Sequence, residues 1–77
     1  MKRLEIEPSA FPCKLIECPA GFFVFNNSLC FKSEYFTAEG AVEAFCDSGE
    51  MFWGGVSTVE EQRDLIVLPV QYVWVGG

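Results

Sequence analysis

Four cysteines, at positions 13, 18, 30 and 46, are the side chains of this sequence best suited to bind a metal ion or to do redox chemistry. A zinc site made of four thiolates usually takes its ligands as two close pairs of the CxxC kind. Only Cys13 and Cys18 are close in the sequence, with four residues between them. Ordinary free thiols are therefore the expectation, with disulfide bonds and a zinc site as the alternatives.

The acid–base residues do not form a recognisable catalytic set. Histidine is absent, which removes the usual general base near neutral pH and the commonest nitrogen ligand of zinc. Glu60 and Glu61 stand at a predicted helix start, where carboxylates stabilise free backbone N–H groups. The pair Gly54–Gly55 lacks the flanking strand and helix of a nucleotide-binding loop. We expect a protein that is not an enzyme and that uses no cofactor and no metal.

Negative charge is concentrated in the C-terminal part of the sequence. The net charge is −6; the residues through Lys32 carry +1, and those from Ser33 onward carry −7, with Arg63 as their one base. A negative field attracts basic protein surfaces and repels nucleic acid, which is bound through Lys and Arg contacts to phosphate. We expect a basic protein or nucleoprotein surface as the partner and no direct contact with nucleic acid. The alternative is that the acids only solubilise a small apolar protein.

Several of these acids and a nearby aromatic pair form the predicted partner-binding site. Phe52 and Trp53 supply the candidate anchor, because tryptophan is enriched among residues that dominate interface energies; burial in the core is the alternative for both rings. The candidate residues are Glu43, Asp47, Glu50, Phe52, Trp53, Glu60, Glu61 and Asp64. Charge complementarity would speed association and the aromatic ring would hold the complex, so salt is expected to act mainly on the association rate.

The length and hydropathy of the chain predict one domain, residues 1–77, located in the cytoplasm. Met1-Lys-Arg3 starts like a signal peptide, but Leu4-Glu-Ile-Glu-Pro8 follows in place of an apolar run. No apolar segment approaches the roughly 20 residues of a membrane-spanning helix, so no membrane contact is expected. A core of this size gives little net stability, which leaves room for a homodimer.

The N-terminal quarter of the chain is predicted to be an extended lead-in, residues 1–19, to the folded unit, residues 20–77. Alternation around Leu4 and Ile6 indicates one short strand, and Cys13–Cys18 favours a second. Prolines in this region interrupt any strand pairing, because proline has no N–H to donate.

A hairpin is the clearest element, with arms Phe22–Phe25 and Leu29–Tyr35 and a turn of Asn26–Ser28. Asparagine tolerates the left-handed conformations that hairpin turns need. The two faces of the second arm are Leu29, Phe31 and Tyr35 on one side and Cys30, Lys32 and Glu34 on the other. This alternation predicts a half-buried strand with one polar side, on which Cys30 is the more reactive thiol.

Residues 41–46 are ambiguous between a strand and a helix. As a strand, they place Cys46 on an apolar face, where it would be an inert core thiol. Asp47-Ser-Gly49 is typical of a turn, and Glu50–Trp53 favours a returning strand. The sequence of this region therefore indicates a second hairpin.

Two overlapping capping boxes, Ser57–Glu60 and Thr58–Glu61, predict a short helix near residues 57–65. Apolar residues up to Val75 then form a final strand, in which Pro69 requires a bulge or an edge position. The fold class expected is mainly β: a small antiparallel sheet or roll built from hairpins, with one short helix.

Five segments, in order, resemble the N-terminal half of C-type lectin-like domains. They are Cys18-Pro-Ala-Gly-Phe22, Cys30-Phe31, Thr37 to Cys46, Ser57 to Gln62 and Trp74-Val-Gly76. The sugar-binding groups, the calcium ligands and the closing cysteines of that family belong to its second half, which has no counterpart in these residues. The resemblance implies a carbohydrate-binding module as the alternative function.

The sequence also resembles small acidic proteins encoded in the early regions of phages and prophages. The similar features are a Pro-x-Gly opening, the strand Leu29–Tyr35, the polar turn Cys46–Glu50 and the segment Val67-Leu-Pro-Val70. Such proteins tend to be compact β sheets, and some block host nucleases or defence complexes. The resemblance implies a class, a complete small β fold in a host cytoplasm, and no mechanism. The acidic residues around the aromatic pair are the basis for expecting a phage-encoded inhibitor or regulator, of the anti-defence type, that acts on a basic, nucleic-acid-handling host complex. A third hypothesis, a sulfur-carrier or ubiquitin-like protein, rests on the terminal Gly76–Gly77.

Overall fold

Within residues 2–8 and 11–76, the part of the chain described by this computed structural model, strands dominate. The description leaves out the side chains of Ile6, Pro8, Val73 and Trp74. The strands are β1 (Arg3–Pro8), β2 (Cys13–Lys14), β3 (Gly21–Phe25), β4 (Ser28–Phe36), β5 (Val42–Cys46) and β6 (Ile66–Val75). A 3₁₀ turn covers Leu15–Glu17, and helix α1 covers Val59–Arg63. The predicted fold class is confirmed: the chain is mainly β, with one short helix.

The strands form an antiparallel sheet in the order β1-β6-β3-β4-β5, with β2 paired to β6 beside this path. β1 pairs with the distal part of β6, from Arg3 opposite Val75 to Pro8 opposite Val70. β3 meets β6 only near Pro69, which lies opposite Phe23. β1 and the end of β6 are therefore a two-stranded ribbon, and the molecule measures 47 × 23 × 20 Å.

The turn between β3 and β4 has two residues, Asn26 and Asn27, with φ of 50° and 64°. A two-residue hairpin turn with both central φ values positive matches the twist of the flanking strands, and asparagine is among the few residues that tolerate it. The pairing runs from Phe25 opposite Ser28 to Gly21 opposite Lys32. The predicted hairpin is thus confirmed, although Ser28 belongs to β4 and not to the turn.

Helix α1 begins at the second of the two capping boxes. Thr58 is the N-cap, and its Oγ1 accepts a hydrogen bond from Glu61 N at 3.2 Å and donates one to Glu61 Oε1 at 2.8 Å. The helix has five residues and lies inside the predicted 57–65. No helix in the described part of the chain is long and apolar enough to cross a membrane.

The segment Cys13–Cys18 does not form the short strand that its sequence favours. Only Cys13 and Lys14 pair, opposite Val67 and Ile66 of β6. The chain then turns, because Cys18 N donates to Lys14 O at 2.9 Å. This turn brings consecutive backbone carbonyls together on one side of the sheet.

The core lies on one face of the sheet, beneath the 3₁₀ turn. Phe52 joins it by edge-to-face contacts with Phe23 and Phe25, each with ring centroids 5.2 Å apart. The buried cluster consists of Leu15, Cys18, Phe23, Cys30, Val42, Ala44, Phe52 and Val67. The ambiguous segment 41–46 is a strand, β5, and its buried residues contribute to this cluster.

Strand β4 has its two faces in the reverse of the arrangement expected from polarity. Cys30 and Lys32 are buried, with 3% and 7% of their surfaces exposed, whereas Leu29 and Phe31 are each 43% exposed. The buried amine is possible because Lys32 Nζ donates to Leu15 O at 2.7 Å and also to Cys18 O. The prediction that Cys30 lies on a solvent-facing polar side is therefore wrong.

The side-chain amide of Gln62, in α1, bonds the backbone at the outer edge of β5 in the way that a neighbouring strand would. Val42 N donates to Gln62 Oε1 at 2.8 Å, and Gln62 Nε2 donates to Val42 O at 2.9 Å. The same Nε2 donates to Phe52 O at 3.1 Å. The side chain is fully buried. Its amide oxygen and nitrogen are both hydrogen-bonded, to backbone groups of Val42 in β5 and of Phe52.

The rest of this edge is covered by the segment that returns from the turn at residues 47–49. Cys46 N donates to Glu50 O, and Phe52 N donates to Ala44 O, both at 2.8 Å. The predicted returning strand is reduced to one bridge, between Phe45 and Met51. Backbone groups of β5 that point away from β4 are thus bonded at residues 42, 44 and 46.

Gly54 lies where a side chain would be strained and crowded. Its φ is +62°, and an added Cβ would meet Leu65 Cδ1 and lie 3.1 Å from Phe52 Cζ. Gly55 has φ of +83° and open space around it. We expect Gly55→Ala to cost about 1 kcal/mol from left-handed strain alone, and Gly54→Ala to cost roughly 1 kcal/mol more from overpacking. Urea unfolding of both variants measures the difference; equal losses would show that Leu65 moves aside freely.

Candidate protein-binding surface

Three phenylalanines form a row across β3, β4 and β5 on the face of the sheet opposite the core. Phe31 lies opposite Phe22 on one side and opposite Phe45 on the other. The rings of Phe22 and Phe31 meet edge to face with centroids 5.4 Å apart. The three side chains are 37%, 43% and 37% exposed in strand order. We call Phe22, Phe31 and Phe45 the phenylalanine row.

A second, aliphatic row lies beside the first. Val24 of β3 pairs with Leu29 of β4 and with Leu68 of β6. Leu29 is 43% exposed and the other two are half-buried. A shallow groove of about 120 Å³ runs between Leu29 and the phenylalanine row. Adjacent exposed apolar side chains of this kind mark interaction surfaces more often than single exposed residues do.

Two of the predicted acidic residues flank this apolar surface. Glu43 precedes Phe45 by two residues in β5, so both side chains lie on the same face of the sheet. Asp47 lines the groove beside the phenylalanine row and is exposed. The surface therefore has an apolar centre and carboxylates at the β5 side.

The other predicted acids lie on different elements. Glu50 is exposed just after the turn that follows β5, and Glu60 is exposed on α1. Glu61 is engaged in the helix cap with Thr58. Asp64 Oδ1 forms an exposed ion pair with Lys14 Nζ at 3.5 Å. The helix acids therefore belong to a region separate from the apolar surface, and two of them already have partners.

The aromatic pair of the predicted site divides between the core and the surface. Phe52 is 3% exposed and packs on Phe23, so it cannot serve as an exposed anchor. Trp53 is half-buried in the loop after it. The predicted role of an exposed aromatic group is filled better by Phe31, which the sequence reading placed inside the protein.

The four cysteines are free thiols that come together as two pairs. Burial raises the pKa of Cys18 to about 11, with a further increase from the adjacent Cys13. Burial likewise raises the pKa of Cys30 to about 11, and nearby Cys46 adds to it. Among the described residues, no three Cys, Asp or Glu side chains converge on a site that could hold a metal ion.

Burial also lowers the pKa of Lys32, while the thiols of Cys18 and Cys13 act in the opposite direction. The ammonium group is held by carbonyls and not by a carboxylate, since its acceptors are Leu15 O, Cys18 O and, at 3.4 Å, Ile16 O. This arrangement fixes the 3₁₀ turn to the sheet. It is a structural site and has no free group with which to act on a ligand.

The lectin-like and the sulfur-carrier or ubiquitin-like hypotheses both rest in part on the C-terminal residues, 74–77. Strand β6 continues to Val75, which pairs with Arg3, so the strand ends one residue before Gly76. Gly77 and the side chain of Trp74 lie outside the described residues. Gln62, in one of the segments whose sequence resembles C-type lectin-like domains, has its amide bonded to the backbone of Val42.

Sequence reasoning missed the apolar surface because alternation in β4 does not say which face is inside. One signal was available: as a strand, residues 41–46 put Phe45 on the same face as Glu43 and Asp47, which is the polar face. Phe31 pairs with Phe45 and must share that face. That pairing depends on the register between β4 and β5, which the sequence did not supply.

Comparisons with known protein families, with curated proteins and with solved structures found no match to this chain.

Proposed function

We propose that this protein is a small protein-binding module that docks through the face of the sheet carrying the phenylalanine row. The observation that supports it most is the exposure of Phe31, 43%, at the centre of a row that spans three strands. Aromatic side chains are enriched in interface cores and dominate binding energies there. A rigid sheet holds them in fixed positions, which lowers the entropy lost on binding.

Charge supports a basic partner over a second copy of this chain. Glu43 and Asp47 lie at the margin of the surface, and the protein as a whole carries −6. Two copies meeting face to face would bring these carboxylates towards one another, and like charges in an interface are unfavourable. A partner with an apolar centre and Lys or Arg around it would meet both features and would associate faster through steering.

We infer further that the partner is a nucleic-acid-handling protein, which this module inhibits or regulates. Proteins that bind nucleic acid expose clustered Lys and Arg side chains, and an acidic module of −6 competes for such surfaces. The module itself lacks the basic stripe that binding to phosphate needs. Within this proposal, a phage-encoded inhibitor of a host defence complex in the cytoplasm is the specific case that the sequence resemblance supports.

The test is affinity capture with the immobilised full chain, followed by binding measurements on the purified partner. The variant is Phe31→Thr, which removes the ring but keeps a residue that is favoured in strands; the matched control is Tyr72→Thr, because Tyr72 is 53% exposed in β6 outside the phenylalanine row. We expect Phe31→Thr to weaken binding about tenfold or more, as for interface anchors, and Tyr72→Thr to change it less than about twofold.

Salt and charge variants test the second half of the proposal. Raising the salt concentration should slow association and leave the dissociation rate nearly unchanged, and Glu43→Gln with Asp47→Asn should reduce that salt dependence. Binding that ignores salt, or that survives Phe31→Thr unchanged, would refute the proposed surface. A wild-type dimer that Phe31→Thr converts to a monomer would identify the occupant as a second copy.

A further inference from the structure

Cys30 and Cys46 face each other across β4 and β5. They are partners in the strand register, and both lie on the core side, Cys30 within the buried cluster and Cys46 packed against it. Neither belongs to the exposed surface described above, and both are free thiols. Their position raises the question of whether the two sulfur atoms can be joined.

The backbone hydrogen bonds show which kind of cross-strand pair this is. Cys46 N donates to Glu50 O at 2.8 Å, and Cys46 O accepts from Gly49 N at 3.0 Å. Both backbone groups of Cys46 therefore point away from β4, which makes Cys30 and Cys46 a non-hydrogen-bonded pair. In such pairs the Cα atoms lie about 4.5 Å apart, within the range of roughly 4.4–6.8 Å that disulfides span.

The pair is also reachable from solvent. An open pocket of about 350 Å³ on the core side of the sheet is lined by Cys30, Cys46 and Ser48 among others. Cys46 is half-buried and Cys30 is 3% exposed. A small reagent that enters this pocket meets Cys46 first.

We propose that Cys30 and Cys46 are a dithiol site that a small-molecule disulfide oxidises to a cross-strand disulfide without rearrangement of the sheet. The Cys46 thiolate attacks one sulfur of oxidised glutathione, which forms a mixed disulfide and releases one glutathione thiolate to take up a proton. Cys30 then gives up its proton and attacks the Cys46 sulfur, and the second glutathione leaves. One glutathione disulfide is reduced to two thiols while two protein thiols become one disulfide.

The two thiols have different roles in this exchange. Burial raises the pKa of Cys30 to about 11, with added effects of Cys46 and Asp47, so Cys30 is protonated at neutral pH. It is therefore the resolving thiol, and closure of the ring is the slow step. At pH values below that pKa, each increase of one pH unit raises the thiolate fraction of Cys30 about tenfold. Closure of the disulfide should therefore accelerate as the pH rises.

The experiment treats the folded full chain with oxidised glutathione at pH 8, blocks the remaining thiols by alkylation and maps the tryptic peptides. Trypsin cuts after Lys32, between the two cysteines. The variant Cys13→Ser with Cys18→Ser leaves only the proposed pair. We expect that variant to form one internal disulfide and the oxidised form to melt about 15 °C higher than the reduced form, since the bond closes a loop of roughly 15 residues. Added reductant should reverse the shift.

Single variants separate the two steps. Cys30→Ser should stop at a glutathione adduct on Cys46, and Cys46→Ser should acquire an adduct far more slowly, because Cys30 is buried. If a variant does not fold, wild-type mapping with added chymotrypsin gives the answer independently, because chymotrypsin cuts after the phenylalanines between Cys18 and Cys30. The proposal fails if Cys30 links to Cys13 or Cys18, if the mixed disulfide never closes, or if the bond forms only in denaturant.

Discussion

Replacing Gln62 by alanine should lower the free energy of unfolding by about 3–5 kcal/mol, since buried groups left without a hydrogen-bond partner cost about 1–3 kcal/mol each. The alanine would leave Val42 N, Val42 O and Phe52 O without the bonds that the amide supplies. A chain of this length has a total stability of about 4–12 kcal/mol. The change therefore removes a large part of it, and urea unfolding measures the loss.

Gln62→Glu is the sharper variant because it keeps the shape and changes only the amide nitrogen. Its carboxylate would face two backbone carbonyl oxygens, Val42 O and Phe52 O, to which Nε2 now donates. The protonated acid can still donate, so the folded protein should hold that proton more tightly than the unfolded chain. Stability of this variant should then fall as the pH rises from acid to neutral.

Gln71→Ala is the matched control, because Gln71 is an exposed glutamine of β6. It should change the free energy of unfolding by less than about 0.5 kcal/mol. If Gln62→Ala and Gln71→Ala had similar effects, the edge of β5 would not depend on the side-chain amide.

Lys32→Met should cost about 2–4 kcal/mol, because it keeps the apolar stem but removes the donor from buried carbonyls. The acceptors are Leu15 O, Ile16 O and Cys18 O, in the 3₁₀ turn and just after it. Cys18 N already bonds Leu15 O at 3.2 Å, so the other two carbonyls carry most of the loss. We expect the turn to loosen before the sheet does.

Lys14→Met provides the comparison for a lysine with an ordinary surface ion pair. Lys14 and Asp64 have 49% and 66% of their side chains exposed, and such pairs contribute about 0–1 kcal/mol. Denaturant unfolding and amide exchange of the residues around Cys18 distinguish the two variants. Equal stability of Lys32→Met and the parent would mean that the amine is not needed to hold the turn.

The elements that sequence reasoning predicted well are those whose signals are local. Asn26 and Asn27 supply a turn that few other residues tolerate, so the hairpin followed from its own two residues. Thr58 and Glu61 likewise define the start of α1 through their own side chains. In each case the residues that give the signal are the residues that make the contact.

The inside of the sheet was not predictable in the same way. Alternation in β4 divides Cys30 and Lys32 from Phe31, but it does not decide which set is buried. That choice depends on carbonyls in and just after the 3₁₀ turn, which lie 14 to 17 residues from Lys32 in sequence, and on the register with β5. Polarity alone indicated the opposite face.

The candidate site was predictable in its charge but not in its apolar centre. Glu43 and Asp47 were chosen for their charge, and both lie beside the phenylalanine row. Phe52 is a candidate anchor because it is aromatic, but its ring packs on Phe23 and Phe25 in the core, the alternative that the sequence left open. Charge can be read residue by residue, whereas the exposure of an aromatic ring depends on which strand lies opposite.

The closed outer edge of β5 determines how a neighbour can approach this protein. Gln62 bonds the outward N–H and C=O of Val42, Phe52 N bonds Ala44 O, and Glu50 and Gly49 bond the N–H and C=O of Cys46. The outer edge of β5 therefore lacks the continuous row of unpaired N–H and C=O groups that an added strand needs. Neither an extended peptide nor a second copy can extend the sheet at that strand. The protein can accordingly present apolar rings in solution without offering, at this edge, a template for fibrous aggregation.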